Sequence, residues 1–152
     1  MTDIRIRVAN VRDIPDLIAD MRREDRAEYE AIEPDMFVHL KTNLELSDRA
    51  WSVFINGELA GIVGVRSLCA LGSVGEPWLC TTSAVSRYPK TFLSLAKAWV
   101  ISLGNRYSRL VGTVDSRYTK SVKWLTHMGF TIRRDDGVEF SGIPFYVFER
   151  CQ

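Results

Sequence analysis

Histidine and cysteine are scarce in this sequence, and the scarcity excludes a good deal. His39 and His127 are its only histidines, too few to nucleate a metal centre, so no metal site is expected. The three cysteines, Cys69, Cys80 and Cys151, are odd in number and lack the paired spacing of a zinc site, which suits reduced thiols in a cytosol. An excess of one charge is missing too. With 20 Lys and Arg against 19 Asp and Glu, no global field draws the chain to nucleic acid or to an anionic membrane. No apolar run reaches the length that crosses a bilayer, and "MTDIRIRVAN" alternates charged with apolar residues where a secretory leader would be apolar throughout. The expectation is a cytoplasmic protein, monomer or homodimer, with neither nucleic acid nor membrane as partner.

What is there describes an ordinary globular chain. Its 152 residues are 46% apolar and 26% charged, values far from those of a disordered segment. No repeat, low-complexity stretch or Pro/Gly/Ser-rich linker divides it, so residues 1–152 are read as a single domain.

Ile4, Ile6 and Val8 alternate with polar or small neighbours, the period of a strand with one buried face. Asp13 and Pro15 open a helix carrying Ile14, Leu17, Ile18 and Met21, which continues into the charged stretch "RREDRAEYEAIE". Met36, Phe37, Leu40, Leu44 and Leu46 follow Pro34 at helical spacing. "WSVFI" and "ELAGIVGVRSL" are strands joined by Asn56-Gly57, a hairpin signal because both residues tolerate positive φ. "WLCTTSAV" is the next strand, "TFLSLAKAWVISL" a helix with Trp99 on its apolar face, and "RLVGTV" a strand. A short helix around "TKSVKWLTHM", with Trp124 also expected in the core, leads through Gly-Phe into "GFTIRR", and "IPFYVFER" closes the chain. The order is β-α-α-β-β-β-α-β-α-β-β.

That order, with "SVKWLTHMGF" and "NGELAGIVGV", resembles the GNAT superfamily of acetyl-CoA-dependent N-acetyltransferases. The resemblance implies an α/β (α+β) fold, with a mixed, mostly antiparallel sheet of six or seven strands flanked by about four helices. It further implies that "WLCTTSAV" and "RLVGTV" run parallel. "MRREDRAE", "GEPWLCTTSAV", "VDSRYTKSVKWLTHMGFTI" and "GIPFYVFER" are together similar to short GNAT-like proteins of tailed bacteriophages, some of them internal virion proteins. Two functions follow from these likenesses. One is acyl transfer to an amine of a host protein or small molecule in the host cytoplasm. The other is a non-catalytic module that binds host proteins or is packaged in the virion.

The resemblance places acetyl-CoA against Thr82, Ala84 and Val85 on one strand, Arg87 and Lys90 at the following turn, and Ser116 and Ser121 beside the late helix. A backbone N–H of residues 81–84 would polarise the thioester carbonyl. The sequence departs from the family in three places. "SRYPKTF" has no glycine where the family cradles a pyrophosphate, leaving the cationic Arg87 and Lys90 as substitutes. Leu125 stands where the family's proton-donating Tyr would be, with Tyr118 two turns earlier as its replacement. Thr81, Thr82 and Ser83 occupy the place of the usual acidic base, and hydroxyls alone cannot deprotonate an ammonium. Carboxylates are instead found on the first helical segment, where Arg22, Asp25 and Glu28 would share one face of a continuous helix. Asp25 and Glu28 are the candidate bases, with Arg22 and Trp78 toward the acceptor. For each of these residues the alternative is structural: a solvated face for the charges, a cap for the serines, partial burial for the aromatics.

Overall fold

A computed structural model describes residues 2–151. Among the described residues seven strands form a mixed sheet in the order β1-β2-β3-β4-β5-β7-β6, and six α-helices accompany them, the α/β architecture expected. The strands are β1 (Ile4–Val8), β2 (Arg49–Ile55), β3 (Glu58–Ser67), β4 (Val74–Thr81), β5 (Arg109–Asp115), β6 (Thr131–Phe140) and β7 (Ile143–Cys151). The helices are α1 (Ile14–Ala19), α2 (Arg23–Ile32), α3 (Met36–Leu46), α4 (Ala84–Arg87), α5 (Pro89–Leu103) and α6 (Thr119–His127). Among the described residues no helix is long and apolar enough to cross a membrane. By its internal contacts the chain divides into two compact units, 1–66 with 78–92, and 67–77 with 93–152.

In the first unit β1 pairs antiparallel with β2, and β2 with β3 across the Asn56-Gly57 turn, whose two residues take φ of 50° and 81°. That confirms the hairpin. Ile14, Leu17, Tyr29, Met36 and Leu40 from the helices, with Met21 between α1 and α2, close over Ile62 of β3 and Cys80 of β4. Trp78 packs against this cluster, and β3 makes room for it at Gly64, where a Cβ would come within 2.5 Å of the indole.

Two expectations about helices are corrected here. The first helix does not run on through the charged stretch. It ends at Ala19, the chain turns at Asp20 and bridges to Thr82 at Met21, and α2 begins afresh at Arg23. The cause is tertiary: Met21 forms an antiparallel bridge with Thr82 and is buried, which overrides local helix preference. The strand "WLCTTSAV" likewise stops at Thr81, and Ala84 and Val85 lie in the single turn α4. Thr82 turns the chain by accepting the Ala84 N–H on its own hydroxyl, at 3.2 Å. Pro89 then keeps α4 from continuing, because a residue before proline is driven out of the α region; Tyr88 takes φ −127°, ψ 53°.

In the second unit β5 pairs antiparallel with β7 and β7 with β6. β4 opens parallel to β5, Val74 opposite Arg109 and Gly75 opposite Leu110, as expected of that strand pair. Leu110, Val114, Val122, Met128, Phe130, Phe145 and Phe148 are buried. Gly129, at φ +94°, ends α6 before Phe130 stacks edge-on against Phe148 at 5.0 Å. Trp99 and Trp124 are half-buried rather than fully in the core, and the Lys120 ammonium lies 5.6 Å from the Trp124 ring centre.

Candidate active site

The far end of β4 gathers most of the polar residues singled out above. Strand alternation sends the backbone groups of Thr82 toward β3, where its N–H donates to Ala60 O at 3.0 Å. Those of Leu79, Thr81 and Ser83 face the opposite edge, and each has a partner from the chain itself. Tyr29 of α2 donates its hydroxyl to Leu79 O at 2.8 Å. Arg22 N–H donates to Thr81 O at 2.9 Å, and Ser83 N–H to Asp20 O at 3.0 Å. The Thr81 N–H goes to Asp25 Oδ2 at 2.7 Å, and the Thr81 hydroxyl donates to the same oxygen. Ser83 Oγ is clasped by both carboxylate oxygens of Asp20, at 2.8 and 2.7 Å.

Asp25 is buried, and Arg22 Nη2 stands 3.5 Å from its Oδ1. Burial pushes the Asp25 carboxyl up from its ordinary value; the Arg22 charge and the two Thr81 hydrogen bonds oppose that push without cancelling it, and Glu24 adds to it. Burial, reinforced by Asp25 and Glu28, also raises Cys80 and Tyr29 far above their usual ranges, so both stay protonated. The half-buried Glu28 and Asp25 therefore act electrically on the same two groups at the base of the strand. Tyr29 was missed by sequence reasoning, although its spacing of four from Asp25 puts both on one helical face. Asp20 and Glu58 were missed as well, and no local pattern marks them.

None of the four N–H groups at 81–84 points outward. Asp25, Ala60, Asp20 and the Thr82 hydroxyl take them in turn. In α4 the Val85 N–H bonds to Thr82 O, Ser86 N–H to Ser83 O and Tyr88 N–H to Ala84 O. Arg87 is held by Glu58 at 2.6 Å and by Ser83 Oγ at 3.2 Å, while Lys90 is exposed. In α5 the Phe92 N–H bonds to Tyr88 O, so the N–H groups of Lys90 and Thr91 lie in the helix's first turn. Trp78 is half-buried and donates its indole N–H to Ser47 Oγ at 2.8 Å.

The remaining candidates belong to the second unit. Ser116 donates its hydroxyl to Pro144 O at 2.6 Å. Asp115, fully buried, accepts from the Arg117 N–H at 2.9 Å and chelates the Arg117 guanidinium, closing the turn before α6. Tyr118 is half-buried at the start of α6 with the Arg117 guanidinium 5.3 Å from its ring centre, and Ser121 is half-buried in the first turns of that helix.

Solved structures share the fold of this chain over almost its whole length. An acetyltransferase of the GNAT family from Streptococcus pneumoniae matches with a TM-score of 0.58 and 22% identity, over 99% of this chain and 100% of that one. The chain has the GNAT acetyltransferase fold. An aminoglycoside acetyltransferase in complex with coenzyme A superposes with a TM-score of 0.72 at 13% identity, covering 99% of this chain and 95% of that one. A spermidine N-acetyltransferase from Vibrio cholerae, in complex with CoA and spermine, gives 0.68 at 14%, covering 98% and 95%. Neither a protein-family model nor a curated protein matches the sequence.

Proposed function

We propose that this GNAT-fold chain is an acyl-CoA-dependent N-acyltransferase, with acetyl-CoA as donor and an amine as acceptor. The observation that supports it is the likeness across nearly the full chain to solved N-acetyltransferases, two of them in complex with coenzyme A. The donor supplies an electrophilic thioester carbonyl. Lys90, with the first-turn N–H groups of Lys90 and Thr91, would hold its pyrophosphate, since a helix N-terminus and an ammonium both attract an anion. Arg87 is less suited, its guanidinium being engaged by Glu58. Asp25 and Glu28 would draw in the protonated amine and take its proton, and the burial that raises Asp25 suits it to accept one.

The test is release of free thiol from acetyl-CoA in the presence of a polyamine, an aminoglycoside, a lysine peptide and a peptide with a free N-terminus. Amine-dependent release is expected, and Asp25→Asn or Glu28→Gln should each lower kcat/KM about tenfold or more. No release with any amine, together with no thermal shift at millimolar acetyl-CoA, overturns the reading.

We further propose a bacteriophage origin and a host protein or small molecule as acceptor, encountered in the host cytoplasm. The phage-like stretches quoted above support this. A second reading, a non-catalytic module that binds host proteins or enters the virion, is favoured by Leu125 in place of the family's Tyr and by the inward-turned amides of residues 81–86.

A further inference from the structure

A strand edge whose N–H and C=O groups are open pairs readily with any extended chain carrying amides. The pantetheine arm of CoA is such a chain, with two secondary amides. On β4 the edge turned away from β3 is already paired, by residues 20–25 and Tyr29. Asp20–Arg22 lies against Thr81–Ser83 through a single antiparallel bridge, Met21 opposite Thr82, and Asp25 completes the pairing by taking the Thr81 N–H.

We propose that Asp20–Asp25 is a strap that closes this edge of β4 and has to leave it for acetyl-CoA to bind. The inference rests on the acyl-CoA reading and adds regulation to it. The segment has a joint at each side of its middle: Asp20–Arg22 links α1, which stops at Ala19, to α2, whose first turn from Arg23 carries Asp25. Its first residue is exposed and held by the Ser83 clasp, whereas Met21 and Arg22 are buried, so release carries a cost. A ligand that binds only the open form has its affinity reduced by the fraction of chains that are open. Leaving would also free the N–H groups of Thr81 and Ser83, which no longer have Asp25 and Asp20 to serve and could receive developing charge on a thioester oxygen. In this view the strap keeps the site silent until donor is abundant.

The full chain is tested with CoA as probe, by calorimetry and by amide hydrogen exchange. One variant combines Asp20→Asn with Ser83→Ala and removes the clasp. A second, Arg22→Pro, removes the N–H given to Thr81 O at a residue whose φ of −58° already suits proline. Each should bind CoA about tenfold more tightly than the wild type. In the wild type, saturating CoA should speed exchange of the Arg22 amide about tenfold or more, a readout that needs no variant. Equal affinities with the Arg22 amide still protected in the CoA complex would overturn the strap and leave the acyltransferase reading in place. Absence of CoA binding by every form at millimolar concentration would overturn both.

Discussion

Asp13 and Asp25 are both buried aspartates of the first unit, and their surroundings push them in opposite directions. Asp13 collects four hydrogen bonds. Arg7 gives two, at 2.6 and 2.8 Å, Ser52 gives one at 2.7 Å and the Asn10 N–H one at 3.0 Å. Burial works to raise its carboxyl, but the bonds from Arg7, Ser52 and Asn10 outweigh burial and hold it below its ordinary value of 3.8. Asp25 accepts from the Thr81 N–H and hydroxyl and has a guanidinium 3.5 Å away, but there burial wins and its carboxyl rises. The first is an anchor, made to be ionised. The second is held in a state that favours taking up a proton, which is what a base or a latch requires.

Substitution at the anchor should have the largest effect. Asp13→Asn puts an amide N–H₂ among donors from Arg7 and Ser52 and deletes the charge they serve, at a cost of about 2–3 kcal/mol. Asp25→Asn keeps an acceptor for Thr81 and relieves a buried charge, so about 1 kcal/mol is expected. Urea unfolding at neutral pH measures both, and equal costs would dissolve the distinction between the two sites.

The pH dependence separates them by sign. A carboxyl lowered in the folded state contributes stability that is present above the unfolded value and is lost as pH falls through the folded one. For Asp13 the margin of wild type over Asp13→Asn should therefore shrink below pH 3.8. A raised carboxyl does the reverse: its burial cost is full above the folded value and vanishes below the unfolded one. For Asp25 the margin of wild type over Asp25→Asn should grow as pH falls from neutral toward 3.8. Each unit of displacement is worth about 1.4 kcal/mol, so the two difference curves should slope oppositely in one set of acid titrations. Parallel slopes would show that Asp25 is a second anchor.

How much of this was legible in the sequence depends on how local each cause is. Asn56-Gly57, Pro34 before Met36, and Gly129-Phe130 announced themselves because turn and cap chemistry is written in adjacent residues. The break at Asp20–Arg22 did not. Its cause is Thr82, sixty residues away, and the periodicity through "DMRREDRAE" continues smoothly across it. The same holds for Asp20 with Ser83 and Glu58 with Arg87. At the turn after β4 the missing glycines were visible, yet the helical turn at Ala84–Arg87 was not, since it depends on Thr82 capping its own successor. The likeness to GNAT proteins carried the mixed sheet and its parallel β4–β5 pair, while the pairing of the β4 edge rests on contacts between residues far apart in sequence.

The smallest effect expected concerns the two cations of that turn, and it extends the comparison from carboxylates to their opposites. Arg87 is engaged as Asp13 is: Glu58 at 2.6 Å and Ser83 Oγ at 3.2 Å use two of its guanidinium nitrogens. Lys90 is exposed in the first turn of α5, as free to meet an anion as Asp25 is to meet a proton. Both are surface groups, and an exposed ion pair is worth roughly 0.5 kcal/mol, so neither Arg87→Ala nor Lys90→Ala should move the melting temperature appreciably. Their effects on CoA should differ. Lys90→Ala removes a cation from the helix N-terminus and should weaken CoA binding about three- to tenfold, more at low salt than at high, because the contact is screened. Arg87→Ala should change it less than twofold, since the pair with Glu58 already neutralises that charge. Glu58→Gln would release Arg87 and should tighten CoA slightly if the guanidinium can then reach the phosphates. Calorimetry of the three variants at two salt concentrations decides the matter: if Arg87→Ala is the more damaging, the ion pair with Glu58 opens in the complex and the anion site is centred on α4 rather than α5.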